Sequence, residues 1–193
     1  EETALAEAEV EYEDLTDSPQ IDVAFEITEA PGAPDLVGCY AVIWTTTPWT
    51  IPVNQALAYG PDIEYTVFEI KDGEFDEKPE LAWMLGKNFV VANDLVAAFL
   101  KRVGCEYDNS DLSKGMIKGT ALAEAKARHP MHHLGGFYET PRPLLEGDFV
   151  TTESGTGLVH MSPDHGEDDF ELCNANGINP VFAALNDGRY RDD

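Results

Sequence analysis

The chain has 193 residues, 43% of them hydrophobic, which suits one good-sized domain with its own core or at most two small ones. Its formal net charge of -25 repels a nucleic-acid backbone on average, so any nucleic-acid partner must be gripped mainly from elsewhere. No apolar run could span a bilayer, and Cys39, Cys105 and Cys173 are too few and too scattered for a disulfide framework, which favours a reducing, cytoplasmic setting.

Residues 1–20 carry eight acidic side chains and no basic one, and read as an acidic linker or a loosely held helix. The chain opens on Glu rather than on a basic-then-apolar leader, which reads as a fragment or a processed product. Residues 21–193 then read as one domain. Residues 21–28 alternate apolar and polar and predict a strand. Residues 37–45 predict a second, stopped by Pro48. Residues 55–59 and 64–70 predict two more around the turn Gly60-Pro61-Asp62. A charged loop over 71–79 precedes a short strand over 81–85. Residues 88–103 predict the best helix, with Phe89, Leu95, Val96, Phe99, Leu100 and Val103 largely on one face and Gly104 to close it. Residues 120–128 are helical by propensity, yet a strand stays open because His129-Pro130 follows. Strands are expected over 145–152 and 158–162, joined by Glu153-Ser154-Gly155. Residues 167–175 predict a helix with acids in its first turn and Gly177 as its stop, and residues 180–185 a last strand. Many short strands with about two helices imply an α+β, mainly β fold: a closed or nearly closed β-barrel with peripheral helices.

Two stretches carry the chemistry. The first is Thr45-Thr46-Thr47-Pro48-Trp49-Thr50-Ile51-Pro52-Val53-Asn54. Strand alternation puts Thr45 and Thr47 on one face and Thr46 on the other. The prolines end the ladder and leave hydroxyls and backbone groups available to a ligand. Trp49 is either core or an aromatic platform at a rim, and Asn54 is either a turn residue or a ligand contact. The second stretch runs from Gly155-Thr156-Gly157 through His160 to Asp164, Gly166, Glu167, Asp168 and Asp169. Four acids exceed what capping one helix needs, and a surplus carboxylate suits a cationic group such as an ammonium. His160 is either a packed strand residue or part of the site.

His129, His132, His133, His160 and His165 match no zinc spacing, so no metal is expected. Seven basic residues, Lys101, Arg102, Lys114, Lys118, Lys126, Arg128 and Arg142, form either one local patch for phosphates or an ordinary solvated face.

Together the two motifs resemble those of the editing domain of isoleucyl-tRNA synthetase, the large insertion shared by the class I synthetases for isoleucine, valine and leucine. The likeness runs from about residue 21 to the C-terminus. Thr47 and Trp49 match the isoleucine type rather than the valine and leucine types, which usually carry Arg after two threonines, then Pro and an acid. The HIGH and KMSKS signatures of the synthetic site are absent from the sequence, so the resemblance is to an editing domain alone. It implies a β-barrel with peripheral helices, extended over residues 120–128. It also implies hydrolysis of valine from tRNA(Ile), and of valyl-adenylate, by a positioned water. Asp169 would bind the α-ammonium, and His160 would block the larger isoleucyl side chain. Thr45, Thr46, Thr47 and Asn54 would hold the terminal adenosine and the water, and Trp49 would shape the pocket. The implied partners are the 3′ end of the charged tRNA and the catalytic domain of the parent synthetase. No cofactor and no membrane are implied. The alternatives are a valine-type domain clearing threonine and a non-catalytic tRNA-docking module.

Overall fold

The computed structural model describes residues 19–73, 75, 78–106, 110–112 and 114–182. The acidic stretch expected over 1–20 therefore lies almost wholly outside the described residues. Among them, ten strands form one sheet in the order β10-β3-β9-β8-β1-β2-β5-β4-β6, with β7 also on β4. β1 (Ile21–Glu29) runs antiparallel to β2 (Tyr40–Thr45), Val23 opposite Ile43 and Phe25 opposite Ala41. β2 pairs in parallel with β5 (Asn88–Ala92), and β5 pairs antiparallel with β4 (Glu64–Ile70). The short β6 (Ser110–Asp111) and β7 (Met116–Lys118) extend β4. On the other side of β1, β8 (Lys126–Arg128) leads to β9 (Arg142–Glu146), which runs parallel to β3 (Ala56–Tyr59). β3 finally pairs antiparallel with β10 (Leu158–Met161).

The sheet is strongly rolled, so β10 lies against β2. It does not close, and the expected barrel is corrected to an open mixed sheet. Single hydrogen bonds replace a closing ladder: Ala92 N donates to Thr156 O at 2.8 Å, Tyr65 Oη to Gly157 O at 2.6 Å, and the Arg102 guanidinium to Gly155 O at 3.1 Å. Gly155 and Gly157 have φ of +80° and +75°, which turns the chain out of extended geometry before a second ladder can form. A Cβ on Gly157 would sit 2.3 Å from that of Ala92, so the close approach also requires glycine.

The helix expected over 88–103 is corrected in its first half. Phe89, Val90, Val91 and Ala92 form β5, buried on both faces between β2 and β4. A fully buried strand is apolar without alternation and looks like a buried helix in sequence. The helical part is a 3-10 turn, Asn93–Leu95, leading into α1 (Val96–Arg102), whose inner face Phe99 and Leu100 bury. The strand expected over 81–85 is a 3-10 turn, Pro79–Met84. The strand expected over 145–152 begins and ends earlier, as β9. Antiparallel pairing with β8, Lys126 opposite Pro143, starts it early, parallel pairing with β3 continues it, and Gly147 N makes the last bond, to Tyr59 O. Residues 120–128 divide into a 3-10 turn, Gly119–Leu122, and β8, because pairing with β1 and β9 overrides helix propensity. Residues 180–182 have no regular structure, and the remainder of the last expected strand lies outside the described residues.

α2 (Glu167–Ala175) forms where the sequence places it. It covers the outer face of β3 and β10, burying Cys173 against Ala56, Ala58 and Met161. The opposite face of the same strands, through Leu57, Tyr59 and Leu158, joins the main core. Side chains alternate along a strand, so His160 shares Leu158's face, on the β2 side. That alternation, with α2 behind, positions the site.

Candidate active site

The two motifs meet. A cleft of about 360 Å³ lies between the end of β2, the turn after it, β10 and the start of α2. Thr45, Thr46, Thr47, Trp49, His160 and Asp169 all line it, together with Thr50, Ser162 and His165. Thr46 was expected on the face opposite its neighbours. The ladder ends at Thr45, so alternation no longer applies and all three threonines reach the cleft. Thr45 Oγ1 accepts a hydrogen bond from Thr47 N at 3.0 Å and lies 3.1 Å from Thr47 Oγ1.

Pro48 opens a 3-10 turn, Pro48–Val53, with its φ already set for helix. Thr47 O accepts both Thr50 N, at 3.0 Å, and Thr50 Oγ1, at 2.8 Å. Trp49 is 54% exposed, which settles it as a rim residue and not core. Asn54 is the exception among the expected site residues. It is fully buried and does not line the cleft. Its Nδ2 donates to Ala56 O at 2.8 Å and to Met161 O at 3.5 Å, joining the turn to β3 and β10 from behind.

Of the four acids, Asp169 alone lines the cleft. Gly166 occupies the N-cap of α2 and no side chain caps it, so the acids act through the helix dipole instead. Asp169 Oδ2 accepts Ser162 N at 2.7 Å. Burial raises the pKa of Asp169, and the Ser162 amide opposes that rise. A buried carboxylate with a raised pKa is stabilised by an incoming cation.

His160 is buried, and desolvation lowers its pKa to about 4, with His165 adding to the shift. The ring is therefore neutral near pH 7. Its Nε2 lies 3.1 Å from Thr50 Oγ1. The single Thr50 hydroxyl proton already goes to Thr47 O, which can only accept, so His160 Nε2 is the donor. Nδ1 then carries a bare lone pair, and it is buried without a hydrogen-bond partner.

His165, Thr50 and Ser162 were not singled out from sequence as parts of the cleft. His165 Nε2 lies 3.5 Å from an Asp164 carboxylate oxygen, and its position next to Gly166 in the second motif was the available signal. Of the two readings of the seven basic residues, the phosphate patch loses support, since four of them are paired or buried. Arg102 pairs with Asp22 at 2.7 Å, Lys126 with Glu29 at 2.9 Å and Arg128 with Glu26 at 2.9 Å. Arg142 is buried under Phe137, 4.5 Å from its ring centre. Among the described residues, no group of three His, Cys, Asp or Glu side chains could hold a metal ion. No helix among them is long and apolar enough to cross a membrane.

Known proteins resemble this chain in sequence and in fold. The chain is 54% identical over 193 residues to an isoleucine–tRNA ligase of Zymomonas mobilis subsp. mobilis, covering 100% of this chain and 19% of the relative. An isoleucine–tRNA ligase of Gluconobacter oxydans is 48% identical over 98% of this chain and 19% of its own length. By sequence this chain belongs to the isoleucine–tRNA ligase family, and its fold is that of leucyl-tRNA synthetase editing domains. It spans about a fifth of the length of those relatives. No protein-family model matches it. The fold is shared with the P. knowlesi cytosolic leucyl-tRNA synthetase editing domain, at TM-score 0.60 and 11% identity over 88% of this chain and 73% of that one. GlLeuRS-CP1 superposes at TM-score 0.62 and 15% identity over 88% of this chain and 73% of its own.

Proposed function

We propose that this domain hydrolyses valine esterified to tRNA for isoleucine, and valyl-adenylate with it. The carrying observation is that Asp169 and His160 face one cleft beside three threonine hydroxyls. The need is physical. A synthetic site gains only ~1–3 kcal/mol from one methylene, a limit for which the isoleucine–valine pair is itself the standing example. A second site that admits only the smaller product supplies the missing discrimination.

Asp169 binds the α-ammonium, a charge-assisted contact at a carboxylate whose burial favours a cation. With the ammonium fixed, the amino acid side chain points at a wall, and the His160 ring is that wall. Valine fits and isoleucine clashes. His160 does not act as the base: its Nε2 is a donor to Thr50, its Nδ1 is sealed, and burial opposes charging it. The hydroxyls of Thr45, Thr46 and Thr47 hold the terminal adenosine and place the attacking water, so catalysis rests on positioning and polar stabilisation. Trp49 shapes the rim. Asn54 acts indirectly, by holding the turn to β3 and β10. Neither metal nor cofactor takes part, and the partners are the charged 3′ end of the tRNA and the catalytic domain of the longer enzyme.

The test is deacylation of valyl- and isoleucyl-tRNA by wild type and His160→Ala. The variant is expected to keep valyl activity and to gain isoleucyl activity. Loss of the first without gain of the second rejects the steric gate, and no hydrolysis of either by wild type favours a docking module.

A further inference from the structure

We propose that His165, held by the Asp164 carboxylate, is the catalytic base that takes the proton of the attacking water. The inference rests on the reading of the cleft as an ester-hydrolysing site. Water placed by the threonines must lose a proton as it bonds to the ester carbon, and hydroxyls are poor acceptors of it near pH 7. Three other groups that line the cleft could take it: His160, Asp169 and His165. His160 is spent, since its Nε2 faces Thr50 Oγ1 and its Nδ1 is sealed. Asp169 is spent as well: its Oδ2 accepts the Ser162 amide and its charge is left to the ammonium. His165 remains. Its side chain is 31% exposed, and its Nε2 lies 3.5 Å from Oδ2 of Asp164, whose own side chain is 5% exposed. Facing a carboxylate, Nε2 keeps the proton, which leaves the lone pair on Nδ1. Among the described residues no donor occupies that lone pair. Ser162 Oγ donates to Asp164 Oδ1 at 3.4 Å, and His165 N donates to Ser162 O at 2.9 Å, which fixes the turn that carries the pair.

The same turn brings the ring beside the ammonium anchor. A Cβ on Gly166 would sit 3.0 Å from Asp169 Oδ1, so that carboxylate lies against the residue next to His165. Only the α-carbon separates an ammonium from its ester carbon, so a group beside the anchor is beside the reacting atom. The charged and titratable groups around the ring are Asp164 of its own turn, Asp169 of α2 and His160 of β10; β2 and the 3-10 turn bring hydroxyls and indoles, and Glu167 and Asp168 do not line the cleft. The step balances without a cofactor. A water oxygen bonds to the ester carbon as its proton passes to Nδ1. The bond from that carbon to the ribose oxygen then breaks, and the imidazolium gives the proton to the departing oxygen. Free amino acid and a restored ribose hydroxyl result. Asp164 faces the positive ring while it lasts.

The experiment measures cleavage of the valyl ester of adenosine by this chain, with thermal melts on each variant. His165→Ala and His165→Gln are each expected to lower kcat by about a hundredfold or more, with KM near wild type. Gln keeps bulk and polarity without a base, and it decides the matter where Ala impairs folding. Imidazole added to His165→Ala is expected to raise its rate by about tenfold, in proportion to the neutral form, because a small base can enter the space that a part-exposed ring leaves. Asp164→Asn is expected to lower kcat by about tenfold. A ring that only shapes the cleft would give no such response to imidazole. Wild-type kcat in either His165 variant, or a loss in His165→Ala that imidazole leaves unchanged, overturns the base while cleavage by the wild type upholds the hydrolytic reading. No cleavage by the wild type overturns both.

Discussion

His129 and His160 grip the same turn from two sides, and they differ in how far each ring is satisfied. Both are buried, and desolvation lowers the pKa of each to about 4. His129 Nε2 donates to Ile51 O at 3.0 Å while its Nδ1 accepts Met131 N at 3.0 Å, and its ring packs edge-on to Phe25. Both of its nitrogens are satisfied within the fold. His160 holds the next residue back, Thr50, through its side chain, and its second nitrogen is bare. Burial and a depressed pKa thus do not by themselves mark a functional histidine. Each also lines a cleft, so what separates the pair is the incomplete satisfaction of the His160 ring and the company it keeps, a carboxylate and three threonines.

The largest expected effect tests the cleft side. Asp169→Ala should lower valyl-ester clearance by roughly a hundredfold or more, because a charge-assisted contact to the ammonium is lost at a buried site. Its melting temperature should stay within a few degrees of wild type. Near-normal deacylation by this variant would remove Asp169 from the site.

Next, His129→Ala should destabilise the fold by roughly 2–4 kcal/mol, since it leaves a cavity and unpairs Ile51 O and Met131 N. Denaturant titration gives the value. Clearance of valyl and isoleucyl esters should fall together, with their ratio unchanged, whereas His160→Ala should change the ratio. A change of ratio in His129→Ala would erase the distinction between the two rings.

The two histidines should behave alike in their pH dependence. Each has a folded pKa near 4 against an ordinary 6.5, so the unfolded chain binds the proton first as pH falls. Their contribution is complete above pH 6.5 and is lost as pH drops from 6.5 towards 4, at about 1.4 kcal/mol per pH unit for each ring. Asp169, with its raised pKa, works in the opposite direction, because its charged form is the disfavoured one. Urea titrations at pH 7 and pH 5 should show wild type losing more stability than His129→Ala or His160→Ala relative to their own values at pH 7. Equal losses in all three would mean neither ring is held neutral.

The smallest expected effect is none. Deacylation should survive a strong chelator, since neither histidine is placed with two further ligands among the described residues. Activity lost on chelation and restored by zinc would overturn the metal-free mechanism.

Much of the site was legible because local chemistry marks it. Acids at 167–169 and Gly177 delimit α2, and they do so through a dipole and a stop that need no tertiary partner. The threonine-proline turn announces itself by a broken ladder, and the alternation of β10 puts His160 on the β2 side. β5 was not legible, because a strand buried on both faces loses the period that identifies it. Asn54 was expected at the substrate and lies behind the turn, since an amide serves either place equally well. The basic residues from Lys101 to Arg142 stood open between a patch and a solvated face, and β1 decided against the patch by bringing Asp22, Glu26 and Glu29 beside Arg102, Arg128 and Lys126.

The sequence by itself determined the element types with local signals, the family, and most of the residues that line the cleft. Tertiary structure alone decided that the sheet stays open, that Gly155 and Gly157 bend the chain across β5, and that Thr50 meets His160. The reason is that those outcomes depend on which donor finds which acceptor between segments far apart in the chain. A hydroxyl with one proton and an imidazole with one proton can be read from sequence, but their partners follow only from packing.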